Sequence, residues 1–333
     1  MRVLFANEAD VHALLPMERC VALMRTALVA HARGDALLPL RMVLRPPGVP
    51  GVLAVMPGWL GEPAGLGLKV VSVMPGNLGS GFDSHQGVVM LFGAVHGEPL
   101  AILDATAITS IRTAAASAVA TDALARPDAG DLAILGSGAQ ARTHLEAMRA
   151  VRTVRRVRLW SRTRERAESF ARAHAAAAGI AIEVCAGAED AVRGADLVCT
   201  TTASREPVLR GDWVAPGAHV NAVGACFPTH REIDTGLVLR SRFFTDNRES
   251  CTHEAGDWLL ARAEGAIPET HLLGELGDVL AGGIEGRRSH DDVTVYESLG
   301  IAIEDLASAH EIHARALAMG AGTWLEWGGP PSA

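Results

Sequence analysis

The segment DLAILGSGAQA at 131–141 constrains the fold more than any other part of the chain. A short apolar run, expected to be a strand, meets Gly136-Ser137-Gly138-Ala139-Gln140-Ala141 and continues as a helix-forming stretch to Val151. This is a GxGxxA turn between strand and helix. The first glycine permits the tight turn, the second lets backbone approach a pyrophosphate, and the small third residue lets helix and strand pack closely. The helix start then offers its N–H groups and positive dipole end to phosphate. A merely tight βα turn is the alternative.

The rhythm that follows agrees with a dinucleotide site. VRRVRLW and TRERAESFARAHAAAA read as strand and helix, and IAIEVC, ADLVCTTT and HVNAVG as further strands. Regular strand–helix alternation implies a parallel, doubly wound sheet. The first hundred residues differ. Pro16 suits a first helical turn, and Met17, Val21, Met24, Leu28 and His31 recur at helical spacing until Gly34. Short β-rich pieces follow: LRMVL around Arg41, VLAVM ending before Pro57, LKVVSVM before Pro75, then GVVMLFGAV and LAILDA around an HGEP turn. One helix beside several antiparallel strands predicts an α+β domain. A long Ala-rich helix is expected over 106–125, leading out of it, and a last apolar helix over 300–319. At roughly 150 residues per domain the 333 residues make about two.

The end of the second strand chooses the nucleotide. NAD-binding versions usually place an acidic residue there for the ribose hydroxyls. Here Trp160 is followed by Ser161-Arg162-Thr163, with no carboxylate until Glu165. Arg162 can form a charge-assisted bond to a 2′-phosphate, with the Ser161 and Thr163 hydroxyls beside it. Thr163 also suits the N-cap of the next helix, and both roles can hold together. NADPH is favoured over NADH.

Of the 30 Lys and Arg residues, only Lys69 is a lysine. Arginine keeps its charge, whereas a lysine ammonium can be desolvated and give up a proton. Lys69 stands in GLGLKVVSV, whose apolar flanks suggest a strand delivering the ammonium into a partly dry pocket with a lowered pKa. A solvated leftover lysine is the alternative. The net charge of −8, without a Lys/Arg-rich block, argues against a nucleic-acid partner. No apolar run approaches the ~20 residues of a membrane helix, and MRVLFANEAD lacks a signal peptide's charged start and apolar stretch. Cys20, Cys185, Cys199, Cys226 and Cys251 lie far apart without a CxxC, which indicates neither a disulfide framework nor a metal cluster. A cytoplasmic location is expected.

Taken in order, LAVMP (53–57), GLGLKVVSVMPGN (65–77), SHQGVVMLF (84–92), ITSIRTAAASAVAT (108–121), ILGSGAQA (134–141), VNAVGACFPTHREID (220–234) and SLGIAIED (298–305) resemble the ornithine cyclodeaminase/mu-crystallin family over nearly the whole chain. The resemblance implies a Rossmann-type doubly wound parallel sheet inserted in an α+β domain for substrate binding and dimerisation. Residues 1–120 and 300–333 would form the latter and 121–299 the NADP-binding domain, in a homodimer. It implies Arg41, Lys69 and Arg112 as catalytic cations around a substrate carboxylate, and Met56, His85 and Cys226 in the pocket. Ser84, Gly136, Gly138, Ala139, Gln140, Ser161, Arg162, Thr163, Val223 and Ser298 would hold the cofactor. Arg41 as a solvated strand end, Arg112 as a helix-start charge and His85 as a packed or capping histidine remain the alternatives.

Two departures bear on the reaction. Cyclodeaminases of the family carry an Asp acting on the substrate amine where Gly224-Ala225-Cys226-Phe227-Pro228 places Cys226. They also carry a carboxylate where Ala54 stands. The family's imine reductases share this small-residue pattern. Cys226 reads as pocket wall, since no base adjoins it in sequence. The expected activity is NADPH-dependent reduction of a small cyclic imino acid, a ketimine such as Δ1-pyrroline-2-carboxylate or Δ1-piperideine-2-carboxylate. The alternatives are an ornithine or lysine cyclodeaminase, an alanine-dehydrogenase-like or opine-type enzyme, and a non-catalytic holder of NADPH and a small ligand.

Overall fold

Residues 1–77 and 80–328 are described by a computed structural model. The chain divides into two units, Met1–Arg112 with Ile301–Ala333, and Thr113–Gly300. The first opens with β1 (Arg2–Ala6), α1 (Glu8–Leu14) and α2 (Met17–Ala32). Pro16 is the N-cap of α2, one position earlier than the sequence pattern suggests. The buried stripe of α2 is Met17, Cys20, Met24, Ala27 and Leu28, with Val21 and His31 at its margins.

Six strands follow: β2 (Ala36–Leu37), β3 (Met42–Leu44), β4 (Val52–Leu60), β5 (Gly65–Val73), β6 (His85–Gly93) and β7 (Pro99–Asp104). β4 to β7 form an antiparallel meander, and β1 adds in parallel to β7. β4 does not stop at Pro57 as expected but continues to Leu60, with Pro57 opposite Leu68. On its other side β3 reaches only Leu53 to Val55 and β2 only Trp59 and Leu60. Pro57 therefore sits where β4 has a neighbour on one side, an edge-like position that tolerates proline. α3 (Ala105–Leu124) follows β7, and the division between the units falls within it.

The second unit alternates strand and helix. β8 (Asp131–Leu135), α4 (Ala139–Val151), β9 (Arg156–Trp160), α5 (Arg164–Ala178), β10 (Ile182–Val184), α6 (Ala188–Val192), β11 (Leu197–Thr200) and β12 (His219–Ala222) form its first part. α7 (Thr235–Arg240), β13 (Arg242–Thr245), α8 (Arg248–Glu254), α9 (Gly256–Ala263), β14 (Leu272–Glu275), α10 (Leu276–Leu280) and β15 (Thr294–Glu297) complete it. All neighbours are parallel, in the order β10-β9-β8-β11-β12-β15-β13-β14. β11, β12 and β15 are buried at every position, as strands covered on both faces must be. This is the Rossmann-type doubly wound sheet. Strand order reverses between β8 and β11, where such sheets bind ligands beyond the strands' carboxyl ends. Its core includes Leu135, Val198, Val220, Phe243, Val295 and Trp258.

The chain then returns to the first unit as α11 (Ala302–Met319) and β16 (Thr323–Glu326), which pairs with β1. α11 lies on the β4–β5 face bearing Gly58, Gly65 and Gly67. A Cβ at Gly58 would be 3.0 Å from the Ala302 Cβ. One at Gly67 would be 2.5 Å from the Met90 carbonyl and 3.2 Å from Leu306. The GLGL sequence thus serves close approach of helix to sheet.

Candidate active site

Lys69 lies on β5 between Met56 of β4 and Val89 of β6, its direct cross-strand partners, so the three share the sheet face that α11 covers. The glycines let the first turns of α11 descend onto that face. This brings Asp305 Oδ2 within 2.8 Å of Lys69 Nζ. Arg112 of α3 reaches the same carboxylate from its other side, Nε donating to Oδ1 at 3.0 Å, while Nη1 donates to Glu304 Oε2 at 2.7 Å. Lys69 Nζ also donates to Thr109 Oγ1 at 3.4 Å. Lys69 and Arg112 are each 3% exposed, and Glu304 and Asp305 are fully buried.

Desolvating an ammonium favours its neutral form. Burial first, and then the Arg112 charge, bring the Lys69 pKa down to about 8; Asp305 opposes them and Arg41 adds to them. Burial works against ionisation of Asp305, but the Arg112 and Lys69 cations more than offset it and hold its carboxyl below the usual range. The lone lysine is therefore a dry ammonium that can release a proton near neutrality, in a cluster where two cations meet two carboxylates.

His85 opens β6 at the surface, its Nδ1 3.0 Å from Ser84 Oγ. Partial loss of hydration, then the Lys69 charge, lower its pKa. Ala54, buried on the same face as Met56, leaves no carboxylate at that point of the wall.

In the second unit Gly136 adopts φ +126°, and a Cβ there would lie 2.5 Å from Thr201 Oγ1, so only glycine fits the turn. Gly138 is the N-cap of α4 without a side-chain cap, and a Cβ there would meet nothing within 4 Å. Open space therefore faces helix amides that no side chain of the cap satisfies, beside Ala139 and Gln140. Ser161 accepts from Ser137 Oγ at 3.0 Å, joining the ends of β8 and β9. Arg162 is exposed beyond β9. Thr163 is the N-cap of α5 but its side chain makes no capping bond. Val223 and Ser298 follow β12 and β15, and Cys226 Sγ lies 3.3 Å from the Val223 carbonyl and 3.7 Å from that of Ser298. Ser298 Oγ, 2% exposed, has no hydrogen-bond partner among the described residues. The uncapped helix start, the open Gly138 and the orphaned Ser298 hydroxyl fit a dinucleotide.

The residues expected to hold the cofactor fall in the second unit, except Ser84, which belongs to the first with Arg41, Met56, Lys69, His85 and Arg112. Glu304, Asp305 and Thr109 received no role from the sequence. An acidic pair in a first helical turn is ordinary helix-dipole chemistry, so nothing local marks these two as partners of Lys69 and Arg112.

Comparison with known proteins gives a consistent picture. Ketimine reductase mu-crystallin of Mus musculus is 39% identical over 281 residues, 84% of this chain and 85% of its own length. The solved structure of Thermococcus litoralis Δ1-pyrroline-2-carboxylate reductase, in complex with NADH and L-proline, superposes with a TM-score of 0.94 at 34% identity, covering 96% of this chain and 99% of that one. An archaeal alanine dehydrogenase dimer with bound NAD gives 0.92 at 32% identity, covering 98% and 100%. The family model for ornithine cyclodeaminase/mu-crystallin proteins matches residues 1–320, and the chain belongs to that family.

Proposed function

We propose that this protein is an NADPH-dependent reductase of cyclic imino acids, such as Δ1-pyrroline-2-carboxylate or Δ1-piperideine-2-carboxylate, forming the amino acid. The observation that carries this reading is Lys69, a buried ammonium with its pKa near 8 between Arg112, Arg41 and Asp305. Arg41 and Arg112 supply cations for the substrate carboxylate, each charge-assisted bond contributing ~1.5–3 kcal/mol. Reduced nicotinamide, when bound, supplies a hydride to the imine carbon. Lys69, protonated below about pH 8, gives its proton to the ring nitrogen and recovers one from solvent. Ala54 in the first unit and Cys226 in the second stand at positions where the family's cyclodeaminases carry carboxylates, and their lack of acidic groups favours reduction over cyclodeamination.

Arg162, with Ser161 and Thr163 beside it, supports NADPH over NADH. The sheet face away from Lys69 supports a homodimer. There Leu44 pairs with Leu53 and Met42 with Val55, and Met42 is 69% and Leu44 58% exposed. Five free cysteines fit a reducing, cytoplasmic setting, and no helix among the described residues is long and apolar enough to cross a membrane.

The test is loss of reduced-nicotinamide absorbance with purified enzyme and a panel of cyclic imines, linear imine precursors and ornithine. One NADPH oxidised per cyclic imine consumed is the expected result. Ornithine conversion to proline with ammonia release at a comparable rate, without net NADPH oxidation, overturns it.

A further inference from the structure

We propose that Asp305 is a positioning residue for the reaction: one buried carboxylate holds Lys69 and Arg112 in a fixed relation and keeps the Lys69 ammonium charged at working pH. The proposal deepens the reading of Lys69 as proton donor and rests on it.

The geometry is bidentate in an unusual sense. Oδ2 of Asp305 lies 2.8 Å from Lys69 Nζ on β5, and Oδ1 accepts from Arg112 Nε on α3 at 3.0 Å. A carboxylate is rigid and planar, so its two oxygens set the spacing of the two cations. Asp305 is itself fixed by packing, since the neighbouring positions of α11 sit on glycines of the sheet: Ala302 over Gly58 and Leu306 over Gly67. Lys69 has four rotatable stem bonds, and among the described residues no other carboxylate lies within ion-pair distance of it. Without Asp305 its ammonium would lose both its anchor and its counter-charge.

The charge balance points the same way. Lys69 is faced by Arg112 from α3, by Asp305 from α11, by Arg41 from the segment before β3 and by His85 from the start of β6, while Glu304 of α11 pairs with Arg112. From α2, Cys20 faces the same carboxylates, but its thiol is pushed up to about 12 by burial and stays neutral. Burial, Arg112 and Arg41 all favour the neutral amine, and Asp305 alone among the groups acting strongly on Lys69 favours the ammonium. Removing its charge drives the amine towards neutrality. Below the new midpoint, where the amine is still protonated, an anionic substrate would meet the cations without the opposing carboxylate, so binding there should not weaken while turnover falls.

Because Lys69 is the only lysine in the chain, enzyme made with isotope-labelled lysine shows one side-chain signal, whose titration reads the ammonium directly. In wild type the midpoint is expected near 8. In Asp305→Asn it should fall by about one unit, a tenfold loss of proton affinity. The alkaline limb of kcat should move down by the same amount, with KM for the imine unchanged or lower. A midpoint and limb at the wild-type position overturn the proposal. Should Asp305→Asn not fold, Asp305→Glu keeps the charge but displaces it. Its midpoint should stay near wild type while kcat falls about tenfold, and wild-type kcat there overturns the positioning role. Lys69→Arg separates the two levels. If the alkaline limb survives in Lys69→Arg, the reading of Lys69 as donor fails. If the limb is lost there but unmoved in Asp305→Asn, only the role of Asp305 fails.

Discussion

Arg112 and Asp305 are 193 residues apart in the chain, yet Nε of one donates to Oδ1 of the other at 3.0 Å in an environment almost without water. Glu304 takes a second bond from the same guanidinium at 2.7 Å. The helix that begins the exit from the first unit and the helix that re-enters it are tied together by this pair. Both carboxylates are buried, so their charges depend on the cations beside them.

Arg112→Met should therefore be strongly destabilising. It removes the cation from two buried carboxylates and leaves Lys69 alone against them. The expected loss is about 3–5 kcal/mol, the range for breaking a buried pair from one side. Urea denaturation measures it, and a loss below about 1 kcal/mol would show that the carboxylates reach water or take up protons easily.

Lys69→Arg should keep folding and NADPH binding but lower imine reduction by about 10²–10⁴, the span of general acid–base groups. A guanidinium satisfies the charge and does not release the proton. In wild type the rate should fall as pH rises through about 8, because the ammonium is the acid and is lost there. Near-normal turnover in Lys69→Arg with the same pH profile would make Lys69 an electrostatic anchor only.

Arg162→Ala should weaken NADPH binding by roughly ten- to a hundred-fold, the worth of one charge-assisted phosphate bond at ~1.5–3 kcal/mol. NADH binding should hardly change. Fluorescence titration of both nucleotides against both proteins decides it, and equal wild-type affinity for the two would sink the NADPH assignment.

His144 provides an acid-stability test in the second unit. It is fully buried, with Nε2 2.9 Å from Ser117 Oγ and Nδ1 2.8 Å from the Gln140 carbonyl. Burial brings its pKa down to about 4. Between about 6.5 and about 4 the unfolded chain binds a proton that the folded one does not, so stability is present above this window and lost on acidification through it. Relative to His144→Gln, wild type should lose about 2 kcal/mol more between about pH 7 and about pH 5. Parallel curves for the two proteins would mean that His144 is protonated in the folded state.

Much of the architecture is legible in local pattern. DLAILGSGAQA marks the strand, the turn and the helix because each step is dictated by residues within a few positions. The runs in the first unit mark its meander in the same way. β13 and β14 were not legible: RFFT and LLGE are four-residue pieces with no alternation and little apolar length, and they become strands because the sheet edge offers them a partner. The extension of β4 through Pro57 was hidden for a related reason, since proline reads as a stop until the missing neighbour on one side is known.

The sequence by itself determined the nucleotide turn, the basic residue beyond β9, the singular lysine and the non-acidic residues Ala54 and Cys226. Each is a matter of which residue occupies a position, and side-chain chemistry follows from that alone. Only the tertiary structure decided what Lys69 and Arg112 touch. Glu304 and Asp305 look like ordinary acidic residues of a first helical turn, and they become the counter-charges of the site because Gly58, Gly65 and Gly67 let α11 settle onto β4 and β5. Pairing across such a distance in the chain is set by packing, and packing is a property of the folded molecule, not of any local stretch.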